Sequence, residues 1–192
     1  MKTFAVAGIA RSGTTSLAEA LALDPAWEVL HEPEKRFCSA AKHQERFDAP
    51  RVGGLNYGEV NFRLLNQLSA LRVDQKAILL RNPEDIFKSF WKRDFPHFPR
   101  NQPGYLIRFL NDSLATIDAA IVAGVRVIAF SRLVSEPKYL HRIAEELGVG
   151  LPPYTQLPWL NISRRSTEVP AKQVQYAAQK MAWFLRLHKD KW

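Results

Sequence analysis

A chain of 192 residues with 46% hydrophobic side chains is sized for one domain with its own core, so residues 1–192 are expected to form a single unit. Its formal net charge of +8, from 27 Lys plus Arg against 19 Asp plus Glu, points to anionic partners. The single cysteine, Cys38, excludes an intramolecular disulfide and a thiol-built metal cluster, and it fits a reducing compartment. No apolar run reaches the roughly 18 residues of a membrane span, and no arginine-rich tail or zinc spacing marks a nucleic-acid module. The first strand begins within a few residues of Met1, which leaves no room for a signal peptide. The expectation is a cytoplasmic protein that binds a small polyanion and neither membrane nor nucleic acid.

The chain opens on a short apolar run, residues 4–8, that breaks into Gly8-Ile-Ala-Arg11-Ser12-Gly13-Thr14-Thr15 before turning helical. Gly8 and Gly13 leave room for successive backbone N–H groups to converge, and the helix that follows adds its unpaired N–H groups and positive dipole end. An anion of phosphate type suits such a loop. The spacing Gly8-x4-Gly13 matches the Walker A frame, yet Thr14 stands where that frame requires Lys, and the cation sits inside the loop at Arg11. Residues 14–23 read as a helix with Leu17, Ala20, Leu21 and Leu23 near one face, stopped by Asp24-Pro25. A short strand at residues 27–30 then delivers His31-Glu32-Pro33 to the sheet edge where open α/β folds bind ligands.

Residues 34–54 are polar and basic, with Lys35, Arg36, Lys42, His43, Arg46 and Arg51, and read as acceptor-side structure or as a solvated charged face. Leu64, Leu65, Leu68 and Leu71 predict a helix with an apolar core stripe. Residues 76–80 are a strand of the kind buried on both faces in parallel sheets, and Asn82-Pro83 opens the next helix. Arg81 ends that strand with a planar fork suited to phosphate, and Ser89 lies two turns into the helix. A surface pairing of Arg81 with Glu84 or Asp85 is the alternative. Residues 94–105 are proline-rich and aromatic, either a lid or acceptor wall around His97 or a packed loop. A long helix at 106–122, a strand at 125–130, a helix at 138–147 and a last amphipathic helix at 170–188 complete the chain, with the doublet Arg164-Arg165 just before the last. Alternating buried strands and crossover helices predict a three-layer α/β domain of P-loop type, with a mostly parallel central sheet and helices on both faces.

Arg11-Ser12-Gly13-Thr14-Thr15 resembles the 5′-phosphosulfate loop of the sulfotransferases that use 3′-phosphoadenosine 5′-phosphosulfate (PAPS). Arg81-Asn82-Pro83, with Ser89 eight positions after the Arg, is similar to the second motif of that family, which binds the 3′-phosphate. The resemblance implies a sulfotransferase that moves a sulfuryl group from PAPS to a hydroxyl or amine, on a carbohydrate or small metabolite, without metal. It implies that Arg11, Ser12, Gly13, Thr14 and Thr15 hold the phosphosulfate, that Arg81 and Ser89 hold the 3′-phosphate, and that Arg164 and Arg165 close over the nucleotide. Glu32 takes the place of the carboxylate base used in several branches, with His31 as competitor and Glu59, in Gly58-Glu59-Val60-Asn61-Phe62-Arg63, in reserve. The Lys-Gly element of the cytosolic branch is absent beside Arg164-Arg165, and the chain is short for the family. Two other classes remain as alternatives: a P-loop nucleotide kinase or NTPase, opposed by the missing Walker Lys, and a nucleotide-binding module without turnover. Neither the acceptor nor the oligomeric state follows from the sequence.

Overall fold

The apolar runs become the strands of one sheet in the computed structural model, which describes residues 1–34, 38–93, 103–158 and 169–191. Along the chain come β1 (Thr3–Gly8), α1 (Thr14–Leu21), β2 (Trp27–His31), α2 (Ala40–Asp48), β3 (Asn56–Val60), β4 (Gln75–Leu80) and α3 (Pro83–Arg93). They are followed by α4 (Pro103–Val122), β5 (Arg126–Ala129), α5 (Phe130–Ser135), α6 (Pro137–Glu146) and α7 (Ala171–Leu187). The sheet has the order β2-β3-β1-β4-β5, and every neighbouring pair is parallel. The chain leaves β1 toward one edge, returns through β3, and crosses to β4 on the other side of β1. The loop after β1 therefore opens at the point where the strand order reverses, the place where ligands bind in open α/β sheets.

Helices cover both faces because β1 and β4 are apolar at successive positions, not alternate ones. Ala5, Ala7, Ile78 and Leu80 face a core completed by α2, α3, α4 and α7, where Phe47, Phe87, Leu110 and Phe184 are buried. Phe4, Val6, Ala77 and Leu79 face the opposite core, with Leu17 and Leu21 of α1 and Leu140 and Ile143 of α6. The α7 helix is tied to α4 at two points. Trp183 Nε1 donates to Asn111 Oδ1 at 3.0 Å, and His188 Nε2 lies 2.7 Å from Asp118 Oδ1. Among the described residues, no helix is long and apolar enough to cross a membrane.

Three sequence expectations are revised. The leucines at 64, 65, 68 and 71 are buried as expected, but not on an α-helix: Leu64 and Leu68 lie in two single turns of 3₁₀ helix, Phe62–Leu64 and Leu68–Ala70, and Leu65 and Leu71 directly follow those turns. Asn61 sets the first turn by accepting from the Arg63 N–H at 2.9 Å. The fifth strand stops at Ala129, and Phe130 already begins α5. Residues within 34–54, read as acceptor-side structure or a solvated face, include α2, whose His43 and Phe47 are buried against β3.

Candidate functional site

The loop between β1 and α1 is held by close packing around small residues. The Ser12 N–H closes a turn on the Ile9 carbonyl at 2.9 Å. A Cβ on Gly8 would lie 2.5 Å from Ser12 Oγ, and one on Gly13 would lie 2.1 Å from the Phe130 ring. Gly13 also has φ of 101° as the residue that caps α1, a region open to glycine and strained for others. Ser12 is fully buried, and its Oγ makes no hydrogen bond among the described residues. A buried hydroxyl without a partner carries a desolvation cost that a bound anion would relieve.

Two of the three non-glycine residues with positive φ among the described residues are in this region: Arg11 at 76° and Glu32 at 46°. Such conformations cost on the order of 1–3 kcal/mol and gather at ligand-binding and catalytic positions. Arg11 turns its guanidinium toward α3, where Nε donates to Ser89 Oγ at 3.0 Å. Arg81, at the end of β4, donates from Nη1 to the Arg11 carbonyl at 3.1 Å. The two motifs, 70 residues apart from Arg11 to Arg81, are thus joined directly at the C-terminal edge of the sheet.

Arg81 does not take the surface pairing that the sequence left open. Glu84 and Asp85 turn to Lys88, at 3.9 and 4.0 Å, and no ion pair joins Arg81 to a carboxylate among the described residues. Its guanidinium lies 5.0 Å from the centre of the Phe130 ring. Burial lowers its pKa from the usual arginine value, and the charge of Asp85 offsets this only in part. A half-buried cation with most of its donors free of carboxylate can receive an anion.

On the other side of the loop, β2 delivers His31 and Glu32 as expected. His31 Nε2 lies 3.2 Å from Thr14 Oγ1, from Thr15 Oγ1 and from Glu32 Oε1. One ring nitrogen carries at most one proton, so it cannot serve all three partners. When that proton points to Glu32, both threonine hydroxyls are left to donate to a bound anion. The other Glu32 oxygen, Oε2, accepts from Arg63 Nη1 at 3.2 Å. Arg63, at the end of the segment that carries Glu59, and Phe130, at the end of the fifth apolar run, belong to neither nucleotide motif.

Glu59, the reserve carboxylate, sits opposite Leu30 in the β2–β3 pair and has a different set of partners. It is fully buried, and Arg46 grips it with Nε to Oε1 at 2.7 Å and Nη2 to Oε2 at 3.1 Å. Tyr57 donates its hydroxyl to the same Oε1 at 2.7 Å, and Arg46 also pairs with Glu34. Burial works against the Arg46 charge, but the hydrogen bonds and charge of Glu59 outweigh it and raise its pKa. Burial, reinforced by the Glu59 charge, likewise raises that of Tyr57. His43 is driven toward its neutral form by burial, with Nδ1 2.5 Å from Arg46 Nη2 and Nε2 3.1 Å from Cys38 Sγ. Arg46 and His43 are therefore both engaged by internal partners. Arg164, Arg165 and His97 lie outside the described residues, as do Lys35 and Arg36.

No family model matches the chain, and no curated protein matches it by sequence. Solved structures do. The sulfotransferase from Alicyclobacillus acidocaldarius superposes with a TM-score of 0.63 at 18% identity, over 97% of this chain and 95% of that one. The sulfotransferase domain of the Synechococcus PCC 7002 olefin synthase gives 0.52 at 15% identity, over 94% of each chain. At such identities the likeness is one of fold. Matched over nearly its whole length by both, the chain has the sulfotransferase fold.

Proposed function

We propose that the protein is a PAPS-dependent sulfotransferase acting on a hydroxyl or amine of a carbohydrate or small metabolite. The observation that carries this reading is Arg81: a half-buried cation without a carboxylate partner among the described residues, tied to a glycine-lined loop that holds a buried, unbonded Ser12 hydroxyl. Two anion-binding points side by side fit a ligand with two separate phosphates better than a triphosphate. The strands flanking β1 also argue against an NTPase, since β4 runs into Arg81 and β3 into Asn61, where a magnesium-binding Asp would be expected.

The loop residues Ser12, Gly13, Thr14 and Thr15 would hold the phosphosulfate by hydroxyl and backbone N–H donors, with Arg11 beside them. Arg81 and Ser89 would hold the 3′-phosphate. When bound, PAPS supplies the sulfuryl group: the bond from sulfur to the bridging phosphosulfate oxygen breaks as a bond to the acceptor oxygen or nitrogen forms, and the acceptor proton leaves. Glu32 takes that proton at a carboxylate oxygen, and His31, 3.2 Å from it, is the second candidate. Arg63 fixes the Glu32 carboxylate from the far side. Arg11, Thr14 and Thr15 stabilise the charge that grows on the departing oxygen, and fixed donors of this kind supply much of an enzyme's rate. Screening hydroxyl and amine compounds with radiolabelled donor is the experiment that identifies the acceptor. Failure of every acceptor class, with the nucleotide still bound, would favour the binding module without turnover.

The desulfonated product, 3′-phosphoadenosine 5′-phosphate, raises the melting temperature, and ATP with magnesium does so less. At 100 times its dissociation constant such a ligand adds roughly 2.7 kcal/mol. Equal shifts from the bisphosphate and from 5′-AMP in a thermal melt would remove the second phosphate site from the reading. At the level of one residue, Arg81→Ala weakens bisphosphate binding by about 1.5–3 kcal/mol, the scale of a charge-assisted hydrogen-bonded contact. Calorimetry with 5′-AMP serves as control and shows little change. Equal losses for both nucleotides would mean that Arg81 supports the loop and does not read the 3′-phosphate.

A further inference from the structure

The register Leu80↔Ala129 places the residues that follow it, Arg81 and Phe130, side by side where β4 and β5 end. Phe130 is the residue at which the fifth strand turns into α5, and its ring has two neighbours of consequence. One is the Arg81 guanidinium, 5.0 Å from the ring centre. The other is Gly13, approached so closely that a Cβ there would lie 2.1 Å from Cε2 and 2.5 Å from Cδ2. The ring is half-buried and packs at the edge of the core formed by β1, α1 and α6. A guanidinium held over an aromatic ring keeps its charge without surrendering its N–H donors to a carboxylate.

We infer that Phe130 is a positioning residue for the nucleotide site: a spacer wedged between the loop at Gly13 and the cation at Arg81. It sets the separation of the two anion-binding points and so selects a ligand that carries two phosphates. The inference rests on the bisphosphate reading above and adds to it a residue outside both motifs. The alternative is that the ring only fills space at the core edge.

Bisphosphate and 5′-AMP affinities are measured by calorimetry for the full chain and for Phe130→Leu, Phe130→Tyr, Arg81→Ala and the double variant Phe130→Leu with Arg81→Ala. Phe130→Leu loses bisphosphate affinity on the order of tenfold, the scale of a desolvated cation–aromatic contact, and 5′-AMP affinity changes far less. Phe130→Tyr, which keeps the aromatic face, retains nearly all of it. In the Arg81→Ala background Phe130→Leu costs little further, because the residue acts through Arg81. Should Phe130→Leu not fold, Phe130→Met takes its place in the cycle. Additive losses, or equal losses for the two nucleotides, overturn the inference while the bisphosphate reading stands. A wild-type chain that does not prefer the bisphosphate to 5′-AMP overturns both.

Discussion

Glu32→Gln lowers the rate of sulfuryl transfer by about 10²- to 10⁴-fold, the usual contribution of a general base, while nucleotide affinity stays within a factor of a few. The amide keeps the size and shape of the carboxylate but cannot accept a proton. The expectation rests on position. Glu32 follows the last residue of β2, in a left-handed backbone conformation with φ of 46°, and its two oxygens are directed to His31 and to Arg63 at 3.2 Å each. A strained residue held from two sides is pre-organised, because the fold and not the substrate bears the cost of orienting it. The measurement is transfer from radiolabelled PAPS to the acceptor found by screening, with bisphosphate binding in parallel. Near-normal transfer by Glu32→Gln, together with loss of transfer but not of binding in His31→Ala, would make His31 the base.

Arg46→Ala destabilises the fold by about 3–5 kcal/mol, because it leaves the fully buried Glu59 carboxylate without its cation. That is a large share of the stability of an ordinary domain. Urea unfolding followed by circular dichroism gives the value. The double variant Arg46→Met with Glu59→Leu loses less than Arg46→Ala, since removing both charges removes the uncompensated one, although the Tyr57 hydroxyl loses its acceptor. If the single change costs under 1 kcal/mol, solvent must reach Glu59 in solution, and the pair is a surface bridge in energetic terms. Glu59→Gln disturbs the same contacts. A fully buried carboxylate of β3 bound by Arg46 and Tyr57 at 2.7 Å is part of the internal framework, so its substitution reads out as stability.

What the sequence alone determined is local. Gly8, Arg11 and Gly13 mark a strand-loop-helix unit because backbone freedom and anion binding are properties of a few consecutive residues. Arg81, Pro83 and Ser89 could be read in the same way, as a strand end, a helix start and a position two turns along. The buried runs of β1 and β4 announced a parallel sheet covered on both faces, because strands of such a sheet are apolar at every position. The leucines at 64–71 misled for the complementary reason: apolar spacing reports burial, and the tight turns of 3₁₀ helix bury the same residues as an α-helix would. Only the tertiary structure decided which charges are internal and which face the site. Arg46 and Arg63 look alike in a basic sequence, yet one is 13 residues from the buried Glu59 that it holds and the other is 31 residues from Glu32. Phe130 became a neighbour of Gly13 and Arg81 through the pairing of β1 with β4 and of β4 with β5. Those contacts follow from strand register, which an alternating pattern would fix but which runs apolar at every position, such as β1 and β4, leave open.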